Sequence, residues 1–334
     1  MSHCVVTTIN NPTKSIEKLY EIFGSNLIVV GDVKTPSDWN YKNTTYIPVD
    51  RVDNKGWFEG YDPINHYARK NIGYLSAIKS GASSILDIDD DTYPTEGWKI
   101  RENNVGAFGA NEEGWYNVYA ALSDAHIWPR GFSLKELNKM PTLTRIEHVI
   151  KSSIQQGLVD GDPDVDAIWR LVSKEKRHFF TKNKSICLPS FSFCPFNSQA
   201  TCWLPDAYPL MYLPVCSTFR MCDIWRSFIA QRCLWMIGDY VTFHSPSEFY
   251  QERNEHDLLA DFEDEVPGYL HNDRIVEILT GLRLKGGKEN MCENLLTCYQ
   301  VIVDENILPE MEMRSVKSWI KDYEKIISNM EGTF

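Results

Sequence analysis

The stretch Ala68-Arg-Lys-Asn-Ile-Gly-Tyr-Leu-Ser-Ala-Ile-Lys-Ser-Gly-Ala-Ser-Ser-Ile-Leu-Asp-Ile-Asp-Asp-Asp91 constrains the fold more than any other part of this chain. Ile72, Leu75, Ile78 and Ala82 recur near helical spacing, and Gly81 supplies a turn. Ser84 to Leu86 then form a short apolar run suited to a strand. Such a strand delivers Asp87, Asp89, Asp90 and Asp91 at its carboxyl end, where open α/β sheets bind ligands. Carboxylates packed this closely repel one another, and a hard divalent cation with oxygen ligands relieves the repulsion. A cation there in turn attracts a diphosphate, and the polar, basic Arg69-Lys70-Asn71 adds an anion-binding element. The alternative is a solvated acidic turn built on Asp91-Thr-Tyr-Pro94.

The preceding residues read as repeated β-α units. Cys4 to Ile9 suits a strand, and Asn11 can cap a helix with Pro12 at its first position. Ile16, Leu19, Ile22 and Phe23 supply the helix's buried stripe, and Gly24 closes it. Leu27 to Val30 is a second apolar strand ending in Gly31-Asp32, and Tyr46 to Val49 a shorter third. This alternation predicts a mostly parallel sheet. Its strand ends gather Thr7, Thr8, Asn10, Asp32 and the acidic cluster along one edge, although Asp32 reads equally well as a turn residue.

With 334 residues the chain can form about two domains, or one large α/β domain with an appendage. Its net charge of −12 argues against a nucleic-acid backbone or an anionic membrane as partner, so any phosphate must be held locally. No hydrophobic run approaches the ~20 residues of a membrane span, and Met1 leads directly into the first strand, which makes a cytoplasmic setting the expectation. Nine cysteines, six of them between Cys187 and Cys233 without a Cys-x-x-Cys pair, suit buried thiols better than a zinc site or a disulfide framework. The sequons at Asn43 and Asn183 would carry weight only in a secreted chain.

The second half is rich in aromatic residues, among them Phe191, Phe193, Phe196, Trp203, Phe219, Trp225 and Trp235. Aromatic faces stack on the C–H faces of sugars, but most of these rings are expected in the core. Asp223-Ile-Trp-Arg226 opens a helical pattern, as does Asp160-Gly-Asp-Pro-Asp-Val-Asp166, where Pro163 suits a first turn. Asp223, Asp164 and Asp166 can therefore be helix caps or dipole partners as well as catalytic groups. Beyond about residue 250 the chain reads as charged and helical, with Gly286-Gly287 as a candidate linker.

The pattern Arg69-Lys-Asn-Ile-Gly73 followed by Asp87-Ile-Asp-Asp-Asp91 resembles the nucleotide-sugar half of GT-A glycosyltransferases, and more specifically the glycosyltransferase domain of the plant STELLO family. The matching stretches include Val5 to Thr13, Val29 to Pro36, Trp128-Pro-Arg-Gly-Phe132, Asp162 to Ala167, Pro195 to Thr201 and Asp223 to Arg226, in order over roughly residues 4 to 270. The resemblance implies an α/β GT-A fold: a nucleotide-sugar half over about 1–130, an acceptor half over about 131–250 and a helical extension over 251–334. It implies transfer of a sugar from a nucleoside-diphosphate sugar, UDP first among candidates, to an unknown glycan, lipid or protein acceptor, with a manganese or magnesium ion on the diphosphate. Asp89, Asp91 and a late histidine, His244, are then the metal candidates. Thr7, Thr8, Asn10, Asp32, Lys34, Arg69, Asn71 and Asp89 are the nucleotide contacts. Asp223 is the first choice of general base, with Asp164 and Asp166 behind it, and Arg130, Asn197, Gln199, Trp225 and Arg226 are sugar or acceptor contacts. A homo-oligomer is compatible with this reading.

A weaker resemblance links the chain to the reversibly glycosylated polypeptides, which are UDP-arabinopyranose mutases, through Asp89 to Asp91, Phe132-Ser-Leu134, Asp223-Ile-Trp225 and His244-Ser245. That family's self-glycosylated arginine follows the Phe-Ser-Leu segment, where this chain has Lys135. A mutase and a non-catalytic nucleotide-sugar-binding scaffold remain the alternatives to a transferase.

Overall fold

The computed structural model describes residues 1–49, 63–175, 177–252, 255 and 257–331. An eleven-stranded mixed sheet organises the described residues. Its first part is parallel: β1 (Ser2–Thr8) lies between β2 (Leu27–Gly31) and β4 (Ser84–Ile88), and β3 (Thr45–Ile47) adds to β2. The parallel pattern stops at β4, whose other neighbour, Ala200–Trp203, runs antiparallel. The sheet continues through Ile154–Gly161, Val241–Gln251, Ser185–Leu188, Phe108–Ala110 and Leu143–Arg145, with Thr92–Pro94 pairing on Val241–Gln251. The expectation of a mostly parallel sheet thus holds for β1–β4, while the sheet as a whole is mixed.

Helix α1 (Lys14–Phe23) begins two residues later than the Asn11–Pro12 pair suggests. Thr13 is its cap: the hydroxyl accepts the Ile16 amide at 3.2 Å and donates to the Asp90 carbonyl, so one side chain starts the helix and ties it to the acidic cluster. Ile16, Leu19 and Phe23 are buried as expected, whereas Ile22 is half exposed. Helix α2 (Lys70–Lys79) packs on β1 and β2. Gly73 permits the approach, because a Cβ there would meet Val5 Cγ1 at 2.5 Å and Val30 Cγ2 at 2.8 Å.

Three short or buried helices follow: α3 (Val118–Ala121), α4 (Ala167–Val172) and α5 (Cys222–Leu234). Pro163 precedes α4 rather than forming its first turn. The C-terminal region is helical, with α6 (Leu258–Gly281), α7 (Met291–Asp304) and α8 (Glu312–Glu331). These helices share one apolar cluster with α2, α5 and the sheet, from Val5 to Ile326. Glu312, buried at the start of α8, accepts the Tyr212 hydroxyl at 2.5 Å and the Cys216 amide at 2.8 Å. Gly286-Gly287 joins α6 to α7 and is pinned by a bond from the Gly287 amide to Met236. All nine cysteines are free thiols, and most are buried.

Candidate functional site

Strand β4 is buried along its whole length, so the acidic cluster divides by depth. Asp87 faces inward. It is fully buried between Lys70, 2.8 Å from one carboxylate oxygen, and Arg226, 3.1 Å from the other, and Ser198 Oγ donates a third bond at 2.9 Å. Asp89, one pleat further on, accepts the Tyr67 hydroxyl and lies 3.5 Å from Lys70 Nζ. Withdrawal from water pushes its carboxyl up to about 7; Lys70 opposes that shift and the charge of Asp91 adds to it. Asp90 turns toward β1, where the Thr8 hydroxyl and Asn10 Nδ2, at 3.1 Å, donate to it. Asp91 accepts from Gln251 Nε2 at 3.0 Å.

Two adjoining cavities meet at this cluster. The larger, about 450 Å³, is walled by Thr7, Thr8, Gly31, Asp32, Lys34, His66, Arg69 and Asp89 to Asp91. Asp32 shapes its wall by accepting the backbone amides of Asn65 at 2.8 Å and His66 at 3.1 Å, so it organises the loop ahead of α2. The buried Arg69 donates Nε to the Gly31 carbonyl at 2.8 Å. The smaller cavity, about 160 Å³, is walled by Arg130, Asp164, Arg170, Gln199, Arg220, Asp223 and Gln251. Tyr67, Asp89, Asp91 and Phe219 belong to both.

Arg130 is the centre of the smaller cavity. Its guanidinium forks onto Asp164 through Nε and Nη2, both at 2.8 Å, and onto Asp223 through Nη1 and Nη2, both at 3.0 Å. Burial by itself would raise the Asp164 carboxyl, but the charge and forked bonds of Arg130 hold it below the usual carboxylate value. Asp223 lies in the first turn of α5 but does not cap it. Its second oxygen instead accepts the Ser198 amide at 3.1 Å, which ties it to the Pro195–Thr201 segment.

Several residues singled out from the sequence are committed elsewhere. Asn71 is buried and exchanges two 2.8 Å bonds with the backbone of Leu213, so it braces α2 and does not wall the cavities. Asp166 caps α4 through the Trp169 amide and accepts Trp128 Nε1, both at 2.7 Å; burial pushes its carboxyl up to about 7. Trp225 points to α6, donating Nε1 to Asn272 at 2.8 Å, and Arg226 is spent on Asp87. Asn197 is buried and accepts the Gln199 amide at 3.0 Å, shaping the turn beneath Asp223.

His244 is buried away from Asp89 and Asp91. Gln155 donates its amide nitrogen to the carbonyls of Glu102 and Ser152, which leaves its oxygen to accept from His244 Nε2 at 3.0 Å. The other ring nitrogen, Nδ1, then accepts from the Ser185 hydroxyl at 2.7 Å. Both ring nitrogens are thus occupied, and burial lowers the imidazole to about 3. Tyr67, Lys70, Arg170, Arg220 and Gln251 wall or support the site without having been singled out. Tyr67 and Lys70 have a local signal, being three apart beside the Arg-Lys-Asn element, whereas Gln251 reaches Asp91 only through sheet pairing.

A mixed α/β domain with a helical C-terminal region, carrying this cleft at the end of β4, is consistent with a glycosyltransferase domain. Residues 220–331, from the loop before α5 through α8, match the family model described as STELLO glycosyltransferases. The probable glycosyltransferases STELLO2 and STELLO1 of Arabidopsis thaliana are 26% and 25% identical to the chain over 340 aligned residues. The alignments cover 95% of this chain and 44% of each plant protein, so the chain spans less than half the length of these relatives. It is STELLO-like. No described helix is long and apolar enough to cross a membrane.

Proposed function

We propose that the chain is a nucleotide-sugar-dependent glycosyltransferase, with UDP the first candidate nucleotide and a hydroxyl group as acceptor. The observation that carries this reading is that Asp89 and Asp91 belong to the walls of both cavities. A ligand with a nucleoside in the larger cavity and a sugar in the smaller one brings its diphosphate past these two carboxylates. The names of the family and of both plant relatives support the same class.

The donor set bears on the cation. Among the described residues no group of three or more His, Cys, Asp or Glu side chains is arranged to hold a metal. Magnesium-type ions are commonly bound through one or two carboxylates, with water and substrate phosphates completing the shell. Asp89 and Asp91 fit that role for a cation arriving with the diphosphate. A divalent ion there would neutralise charge developing on the leaving group.

The remaining work falls to the chain's own residues. Thr7, Lys34 and Arg69 border the space for the nucleoside and its phosphates. Asp223 is the proposed base for the acceptor proton, oriented by Arg130 and the Ser198 amide. Asp164, held more acidic by Arg130, is better suited to accept a hydrogen bond from a sugar hydroxyl than to take a proton. The mutase alternative is not favoured, because Lys135 is an exposed residue paired with Asp273 at 2.8 Å and is absent from both cavity walls.

Calorimetry of UDP binding with and without manganese tests this reading, using the wild type and an Asp89→Ala/Asp91→Ala double variant. Manganese-dependent affinity in the wild type and its loss in the variant are expected. Equal affinity in the two proteins would overturn the assignment.

A further inference from the structure

We propose that Phe219 is a platform for a sugar ring of the acceptor, so that the acceptor is a glycan or glycoside rather than a simple alcohol; this rests on the glycosyltransferase reading. Single exposed apolar residues are ordinary on protein surfaces. Phe219 is not one of these, because it is half exposed while standing in the walls of both cavities beside Asp89 and Asp91.

The loop that carries it is tightly tied. His66 Nδ1 accepts the Ala68 amide, so the ring proton lies on Nε2, which donates to the Ser217 carbonyl at 3.0 Å. On the other side, Thr218 Oγ1 donates to the Asp264 carbonyl at 2.7 Å, and Arg220 bonds to Glu265 at 2.6 and 2.9 Å. The neighbours of Phe219 are thus anchored to α6 and to the turn before α2, and its ring is left toward the cleft. Tyr67 and His66 meet that ring at 70° and 71°, with centroids 5.5 and 6.3 Å away. Neither stacks flat on it.

A rigid aromatic face beside carboxylates and arginines matches a sugar, whose C–H face is apolar and whose rim carries hydroxyl donors and acceptors. Position favours the acceptor over the nucleobase. Phe219 leads into α5 four residues ahead of Asp223 and shares the smaller cavity with it, whereas Thr7, Asp32 and Lys34 wall only the larger cavity. The inference also gives α6 a part in the site, since Asp264 and Glu265 hold the platform loop.

The test is saturation-transfer NMR of methyl α- and β-glycosides of glucose, galactose, mannose and xylose on the protein loaded with UDP and magnesium, manganese being avoided because it broadens the spectrum. Phe219→Leu keeps apolar bulk without a flat face, and Phe219→Trp keeps the face. At least one glycoside should receive saturation mainly on one C–H face in the wild type and the Trp variant. In the Leu variant its affinity should weaken by roughly 3- to 10-fold, the range expected for loss of one aromatic stacking contact, with UDP affinity changed by less than about twofold. Overturning results would be no contact from any glycoside, contact unchanged in the Leu variant, or a loss falling on UDP instead, which would make Phe219 a nucleobase platform. Failure of the wild type to bind UDP in calorimetry would instead reject the transferase reading from which the proposal starts.

Discussion

Lys70 Nζ lies 2.8 Å from Asp87 Oδ1, and neither side chain has any solvent exposure. Arg226 closes on the other oxygen, so two buried cations share one buried carboxylate. Asp87 therefore belongs to the scaffold, whereas Asp89, two residues on, opens into the cleft.

This division predicts opposite phenotypes for neighbouring acids. Asp87→Asn leaves Lys70 and Arg226 without their counter-charge and should cost about 3–5 kcal/mol of stability. Asp89→Asn should fold with a nearly unchanged denaturation midpoint and lose cation-dependent nucleotide binding. Urea unfolding of both variants beside UDP titration checks the pair; equal instability would place Asp89 in the scaffold too.

Asp223→Asn should leave donor binding largely intact while turnover falls by ~10²–10⁴, the usual cost of losing a general base. The helix-cap explanation is removed in advance, because Asp223 makes no capping bond in α5. Asp164→Asn is expected to raise KM for the donor more than it lowers kcat. A reversed pattern in steady-state kinetics would exchange the two roles.

The pH dependence of folding should carry the mark of His244. Its folded value of about 3 lies below the ordinary 6.5, so between these limits the unfolded chain binds a proton that the native state refuses. Stability should be full above pH 6.5 and decline as the pH falls toward 3. His244→Gln should be less stable at neutral pH but show a shallower acid slope in urea unfolding, with manganese-dependent UDP binding retained. Loss of that binding in a folded variant would return His244 to the metal site.

Gly73→Ala should lift α2 from the sheet, since the added methyl would meet Val5 and Val30. Overpacking of this kind typically costs about 1–3 kcal/mol. Because Arg69 and Lys70 open the same helix, UDP affinity should fall along with the melting temperature. A variant as stable as the wild type would show that the helix slides without strain.

Much of the nucleotide side was legible in the sequence because its determinants are local. The α2 periodicity, the Gly81 turn and the apolar β4 place the acidic cluster at a strand end through short-range geometry, and β1 and β2 follow from the same signals. The mixed pairing beyond β4 was not legible, since it depends on Ala200–Trp203 entering antiparallel from more than a hundred residues away. The fates of Asn71, Asp166, Trp225, Arg226 and His244 were hidden for a related reason. A polar side chain within a motif can face a cavity or a buried partner, and the partners here, such as Leu213, Trp128, Asn272, Asp87 and Gln155, are mostly remote in sequence. By itself the sequence determined a β-α framework and a carboxylate cluster, because propensity and periodicity act over a few residues. Which carboxylates face the cleft, and the sharing of Arg130 between Asp164 and Asp223, were decided only by the tertiary structure, because burial and charge pairing depend on what the rest of the chain brings alongside.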